Sequence, residues 1–152
     1  MSDDEFIKLM FGKPYVDRHC SVDAVDCWGL VALYYRLVHG INIHHTDDYG
    51  NGSDFATCYH SEVDFWHRHN QPVSGGIFVA YRGVVPVHVG LVIDDNTIFH
   101  AREKTSVRFD KLRTLQRLST KVEYLTYASD TCSTDAGSAT ADGHCSGGNE
   151  PF

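Results

Sequence analysis

Hydrophobic spacing changes once along this chain, and the change falls at Gln71-Pro72. Upstream, apolar residues recur every three or four positions, the period of helices with a buried face. Ser2-x-x-Glu5 reads as a capping box ahead of Phe6, Leu9 and Met10, and Gly12-Lys13-Pro14 ends that short helix. Residues 13–25 carry no period and read as a loop. Asp26 is a good cap for the strongest helix, in which Leu30, Leu33, Tyr34 and Leu37 share one buried face and Gly40 supplies the stop. A loop over 42–53 leads to a third helix capped by Ser53, with Phe55, Tyr59, Val63 and Trp66 on one side and its end at Gln71-Pro72. Downstream the pattern is extended, with strands over 77–81, 87–93, 97–101, 107–109 and 122–127. Helices first and strands second predict an α+β domain with a mostly antiparallel sheet.

Length and charge narrow the function. A chain of 152 residues suits one compact domain. From Ala128 onward the residues are Ser, Thr, Gly, Asp and Ala with almost nothing apolar, so the expected division is a domain over 1–127 and a low-complexity tail over 128–152. A formal charge of -7 and no cluster of Lys and Arg argue against a nucleic-acid surface. No apolar stretch is long enough to span a bilayer, so no membrane insertion is expected. The acidic start, Ser2-Asp3-Asp4-Glu5, is unlike a secretory signal, which predicts synthesis in the cytosol without a visible export route, a setting that would keep the thiols reduced. Ten His and five Cys invite a metal site. There is no C-x-x-C pair, however, and His67-x-His69 and His44-His45 lack four-ligand spacing, so neither metal nor other cofactor is expected.

The chemistry-bearing residues sit at element boundaries and on strands. Cys27 follows the cap Asp26 and opens the strongest helix. The unpaired N–H groups of a helix start, with the macrodipole, favour thiolate there and can hold an oxyanion. Gly29 is expected to let a substrate backbone approach. The competing reading is a buried structural cysteine. Val87-His88-Val89-Gly90-Leu91 places a His inside an apolar strand, and Phe99-His100-Ala101 places a second in the next. A three-residue loop, Asp94-Asp95-Asn96, with Asn96 left-handed, pairs Ile93 with Thr97 and sets His88 opposite Arg102. His88 and His100 then lie on one face as diagonal neighbours. A two-residue loop of Asp95-Asn96 would separate them onto opposite faces. A thiol, an imidazole base and a group that orients the base make up the logic of a cysteine hydrolase.

These residues resemble the NlpC-type cell-wall peptidases, a branch of the papain-like cysteine peptidases. The resemblance rests on Gly12-Lys13-Pro14-Tyr15 with Asp26-Cys27-Trp28-Gly29-Leu30-Val31, on His88-Val89-Gly90, and on Phe99-His100-Ala101, in that order. It implies a papain-like NlpC-type fold, with N-terminal helices carrying the nucleophile packed on an antiparallel sheet carrying both histidines. It implies hydrolysis of amide bonds in peptidoglycan stem peptides. By it Cys27 is the nucleophile, His88 the base and His100 the residue that orients His88. Tyr15 matches a tyrosine that helps form the oxyanion site. Asp26 matches an acidic residue that can hold the free amine of a stem peptide, beside its reading as a plain cap. Many cellular members have Ser where this chain has Trp28, and the Asp-Cys-Trp-Gly-Leu form looks more like bacteriophage tail-tip versions. That form implies a virion component, made in the host cytoplasm, that opens the wall during entry and binds other tail-tip or hub proteins through the C-terminal tail. The alternative is a structural tail-tip subunit that keeps the fold with little or no activity.

Overall fold

The capping box at Ser2 forms as the sequence predicts. Ser2 N–H donates to Glu5 Oε1 at 2.8 Å and Glu5 N–H donates to Ser2 Oγ at 3.2 Å, opening helix α1 (Asp3–Met10). The computed structural model describes residues 1–43 and 66–127, so the 44–53 part of the expected loop, the third helix up to residue 65 and the tail over 128–152 lie outside the described residues. α1 turns Phe6 and Met10 inward and ends before Gly12, whose φ of +83° is open to glycine without strain.

Helix α2 (Cys27–Tyr34) starts at Asp26 and passes into a π-helical turn (Tyr35–His39) that closes at Gly40 with φ +69°. The spacing predicts one buried face, whereas all eight residues of α2 are buried. Its sequence, Cys-Trp-Gly-Leu-Val-Ala-Leu-Tyr, offers no polar side to solvent, and the sheet and α1 cover it from different directions.

The sheet has six strands in the order β1-β6-β2-β3-β4-β5, and every pairing is antiparallel. They are β1 (Trp66–His69), β2 (Ile77–Arg82), β3 (Val85–Val92), β4 (Thr97–Ala101), β5 (Val107–Lys111) and β6 (Lys121–Tyr127). One face, with Ile77, Val79, Val89, Leu91 and Phe99, packs on α1 and α2. The other carries a smaller core of Phe78, Val92, Ile98, Leu112 and Tyr124 beneath helix α3 (Leu112–Leu118). The expected α+β architecture is the observed one.

Two elements differ from the sequence reading. Trp66 starts a strand where the spacing predicts the end of a helix, and it pairs with Tyr127 across β1 and β6. Trp66 is the only buried residue of β1, held edge-on against Tyr35 and Tyr127 at 5.4 and 4.9 Å between ring centroids. One buried anchor per strand leaves no alternation to read. α3 was not expected at all, because Lys111 caps it without a side-chain hydrogen bond and no turn residue separates it from β5. Its start is tied instead by Leu112 N–H donating to Asn96 C=O at 2.8 Å.

The β3–β4 hairpin has the expected register. Leu91 faces Phe99, Val92 faces Ile98, and Ile93 N–H donates to Thr97 C=O. Asn96 is not left-handed, since the non-glycine residues with positive φ are Arg18 and Lys104 among those described. Asp94 supplies the turn instead, its Oδ1 accepting from Asn96 N–H at 2.8 Å.

Candidate active site

Asp26 anchors the start of α2. Its Oδ1 accepts from Gly29 N–H at 2.7 Å and its Oδ2 from Arg18 N–H at 3.0 Å. The side chain is fully buried, so in this structure it acts as a helix cap that also ties down the preceding loop. Arg18 reaches it from a left-handed backbone conformation, φ +58°. Gly29 is needed for this folding-back of the chain. A Cβ there would stand 2.0 Å from the His19 carbonyl oxygen, so the backbone that approaches Gly29 is the protein's own and not a substrate's.

Cys27 occupies the first turn of α2 and is buried, with the main chain of Val89, Trp28 and Cys27 itself placed to stabilise a thiolate. Those contacts lose to desolvation. Burial first, and the Asp26 carboxylate second, push the thiol up to about 12. The expected bias towards thiolate is therefore reversed in the resting site. Tyr15, half-buried, is pushed above its ordinary value by burial and then by the charge a Cys27 thiolate would carry, so its hydroxyl keeps its proton.

The two histidines meet. His88 Nε2 lies 2.7 Å from His100 Nδ1, on the diagonal that the hairpin register dictates. Gly90, between them on β3, is obligatory. A Cβ there would lie 2.6 Å from His100 Cβ and 2.6 Å from the Phe78 ring. Burial, followed by the neighbouring charges of His100 and Arg102, lowers His88 to about 3. Burial lowers His100 as well, against an opposing pull from Asp110. Strand alternation turns Val89 towards α2 and His88 towards the opposite face, beside Phe78. Cys27, at the N-terminus of its helix, and His88 nonetheless border one cavity of about 430 Å³, together with Tyr15, His100, Arg102 and Asp110.

Asp110 is the member that sequence reading missed. Its Oδ2 lies 2.7 Å from His100 Nε2, and Arg108 Nε and Arg102 approach the same oxygen at 3.2 and 3.8 Å. The signal was one residue away. The predicted strand stopped at Phe109, and two more residues of β5 put Asp110 opposite Ile98, diagonal to His100. No cluster of three His, Cys, Asp or Glu side chains able to hold a metal ion occurs among the described residues, and no described helix is long and apolar enough to cross a membrane.

Known proteins resemble this arrangement at the level of fold. The NlpC/p60 domain of peptidoglycan hydrolase SagA matches with a TM-score of 0.56 at 18% identity, over 81% of this chain and 92% of that one. NlpC1 and NlpC2 from Trichomonas vaginalis match with TM-scores of 0.56 and 0.57 at 19% and 18% identity. Each of these alignments covers 82% of this chain, but 42% and 45% of the Trichomonas chains, so this chain spans less than half of either. No curated protein sequence matches. The model of the NlpC/P60 family, however, matches residues 12–124, a span that runs from the loop before Tyr15 through both histidines to β6, and the chain belongs to that family.

Proposed function

We propose that this protein is a cysteine peptidase that hydrolyses amide bonds in peptidoglycan stem peptides. The observation that carries this reading is the shared cavity, which has Cys27 and the hydrogen-bonded pair His88–His100 among its lining residues. Family membership and the likeness to a peptidoglycan hydrolase domain support the substrate class. In this reading both groups rest neutral, and His88 takes the thiol proton as sulfur attacks the scissile carbonyl. His100 orients His88. The N–H groups at the start of α2 and the protonated Tyr15 hydroxyl stabilise the tetrahedral oxyanion. The proton on His88 then passes to the leaving amine, and water releases the acyl group from sulfur. Asp26 contributes by fixing the helix start, and the amine of a stem peptide reaches its carboxylate only where the Arg18 loop moves aside.

The biological setting is a proposal too. Asp-Cys-Trp-Gly-Leu, with its bulky Trp28, favours a phage tail-tip component that opens the wall during entry, held among other tail-tip or hub proteins through residues 128–152. A structural subunit with little activity is the competing reading, favoured by the neutral, buried thiol. Digestion of purified peptidoglycan decides between them. Wild-type protein releases new amine termini that mass spectrometry assigns to one stem-peptide bond, and Cys27→Ala releases none while melting at a similar temperature. Equal release by both proteins would remove the peptidase reading.

A further inference from the structure

The hydrogen-bond chain that begins at His88 continues beyond His100. It crosses three neighbouring strands by two diagonal steps, from His88 on β3 to His100 on β4 and on to Asp110 on β5. We infer that Asp110 is a positioning residue of the reaction: through His100 it holds His88 in the tautomer whose lone pair lies on Nδ1, and it stabilises the positive charge His88 gains with the thiol proton. This rests on the peptidase reading above.

The polarity of the chain follows from what each atom can do. A carboxylate oxygen only accepts, so His100 Nε2, 2.7 Å from Asp110 Oδ2, carries the hydrogen. Burial keeps His100 singly protonated, which leaves its Nδ1 bare. A bare Nδ1 2.7 Å from His88 Nε2 can only accept, so His88 carries its hydrogen on Nε2. His88 is neutral as well, and its lone pair is then on Nδ1. When the thiol proton moves, the S–H bond breaks and an Nδ1–H bond forms. The other two N–H hydrogens stay where they are, and the new charge is spread towards Asp110. The distances separate this role from a plain ion pair. Asp110 stands closer to His100 than to Arg108 or Arg102, at 2.7 against 3.2 and 3.8 Å, and its side chain is 19% exposed. The other charged or titratable groups facing the cavity are Arg82 from β2, Glu103 after β4, and Tyr15 and Cys27 from the helical side, while α3 contributes uncharged side chains.

The test is Asp110→Asn in the full chain, beside Cys27→Ala, with hydrolysis of a stem peptide as the assay. The amide keeps the shape but removes the charge and can donate to His100 Nε2, which would reverse the chain and put hydrogen on His88 Nδ1. The kcat should fall about 10- to 100-fold with KM little changed. The acid limb of the kcat/KM profile, below which His88 is already protonated and cannot act as base, should move to lower pH, because imidazolium without its anion loses its proton sooner, and Asp110→Glu should move it back. A readout independent of activity is the nitrogen-15 spectrum of the imidazoles, assigned with His88→Gln and His100→Gln. In wild type both rings should be protonated on Nε2 and bare on Nδ1, and Asp110→Asn should lose that preference. His100 protonated on Nδ1 in wild type overturns the inference, even where the Asn variant fails to fold. Wild-type kcat, pH limb and tautomers in Asp110→Asn also overturn it, with the peptidase reading intact if Cys27→Ala is inactive. Activity surviving in Cys27→Ala refutes the peptidase reading instead, and the tautomers still decide on Asp110.

Discussion

Burial, more than the helix start, sets the resting charge of this site. Desolvation raises Cys27 from 9.0 to about 12 and lowers His88 from 6.5 to about 3. Each shift is also a statement about stability. For His88 the folded value lies below the unfolded one, so its contribution is complete above pH 6.5 and is lost as pH falls towards 3. For Cys27 the folded value lies above, so its contribution is complete below pH 9 and is lost as pH rises towards 12. Denaturant midpoints across pH should therefore fall on both sides, each group adding a slope of up to about 1.4 kcal/mol per pH unit in its window. His88→Gln should flatten the acid side and Cys27→Ser the alkaline side. An unchanged acid slope in His88→Gln would show that the imidazole is hydrated in the folded protein. Asp26 acts on the same scale through its two backbone partners. Asp26→Ala leaves the Arg18 and Gly29 N–H groups without a carboxylate and should cost about 1–3 kcal/mol for each one left buried and unpaired, read as a drop in the urea midpoint.

Between elements, close approach decides which residues are permitted. Gly90→Ala would press a methyl group against His100 Cβ and the Phe78 ring, both at 2.6 Å. Overpacking of this kind should cost about 1–3 kcal/mol and shift His100 relative to His88, so activity should fall further than the melting temperature alone explains. Activity that tracked stability alone would remove the shift. The same two strands show why much of the site was legible in sequence. Alternation and the length of one hairpin loop suffice to bring His88 and His100 together, because a strand has a period of two and a slip of one residue would part them. What escaped reading depends on contacts between distant segments. Trp66 joins a strand because Tyr127 offers an edge 61 residues later, and α3 forms without a cap because Asn96 holds its first N–H. Asp110 was hidden for a simpler reason, as Phe109 was the last apolar residue and the strand runs two residues past it. The thiolate expectation failed because a helix start is a local feature, whereas desolvation comes from the whole core around Cys27.

At the scale of the molecule, the sheet has a reactive end and a remote end. Ala80 faces both His88 and Val122, whereas Ile77, towards the other end of β2, faces Leu125. Deleting residues 128–152 should leave hydrolysis by the remaining domain within about twofold, since a segment so rich in Ser, Thr, Gly, Asp and Ala has little apolar surface to give to a core. The same deletion should weaken incorporation into a phage tail if that setting is correct, and normal incorporation would count against it. Hydrolysis lost along with cooperative melting would place residues 128–152 in the fold. The direction of β6 has a practical consequence. The strand passes the level of His88 at Val122 and finishes five residues on, about 17 Å further along its axis. A bead, resin or sensor chip coupled through the C-terminal side of Tyr127 therefore grips the domain at its far edge and turns the cleft outward, towards whatever insoluble polymer is brought to it.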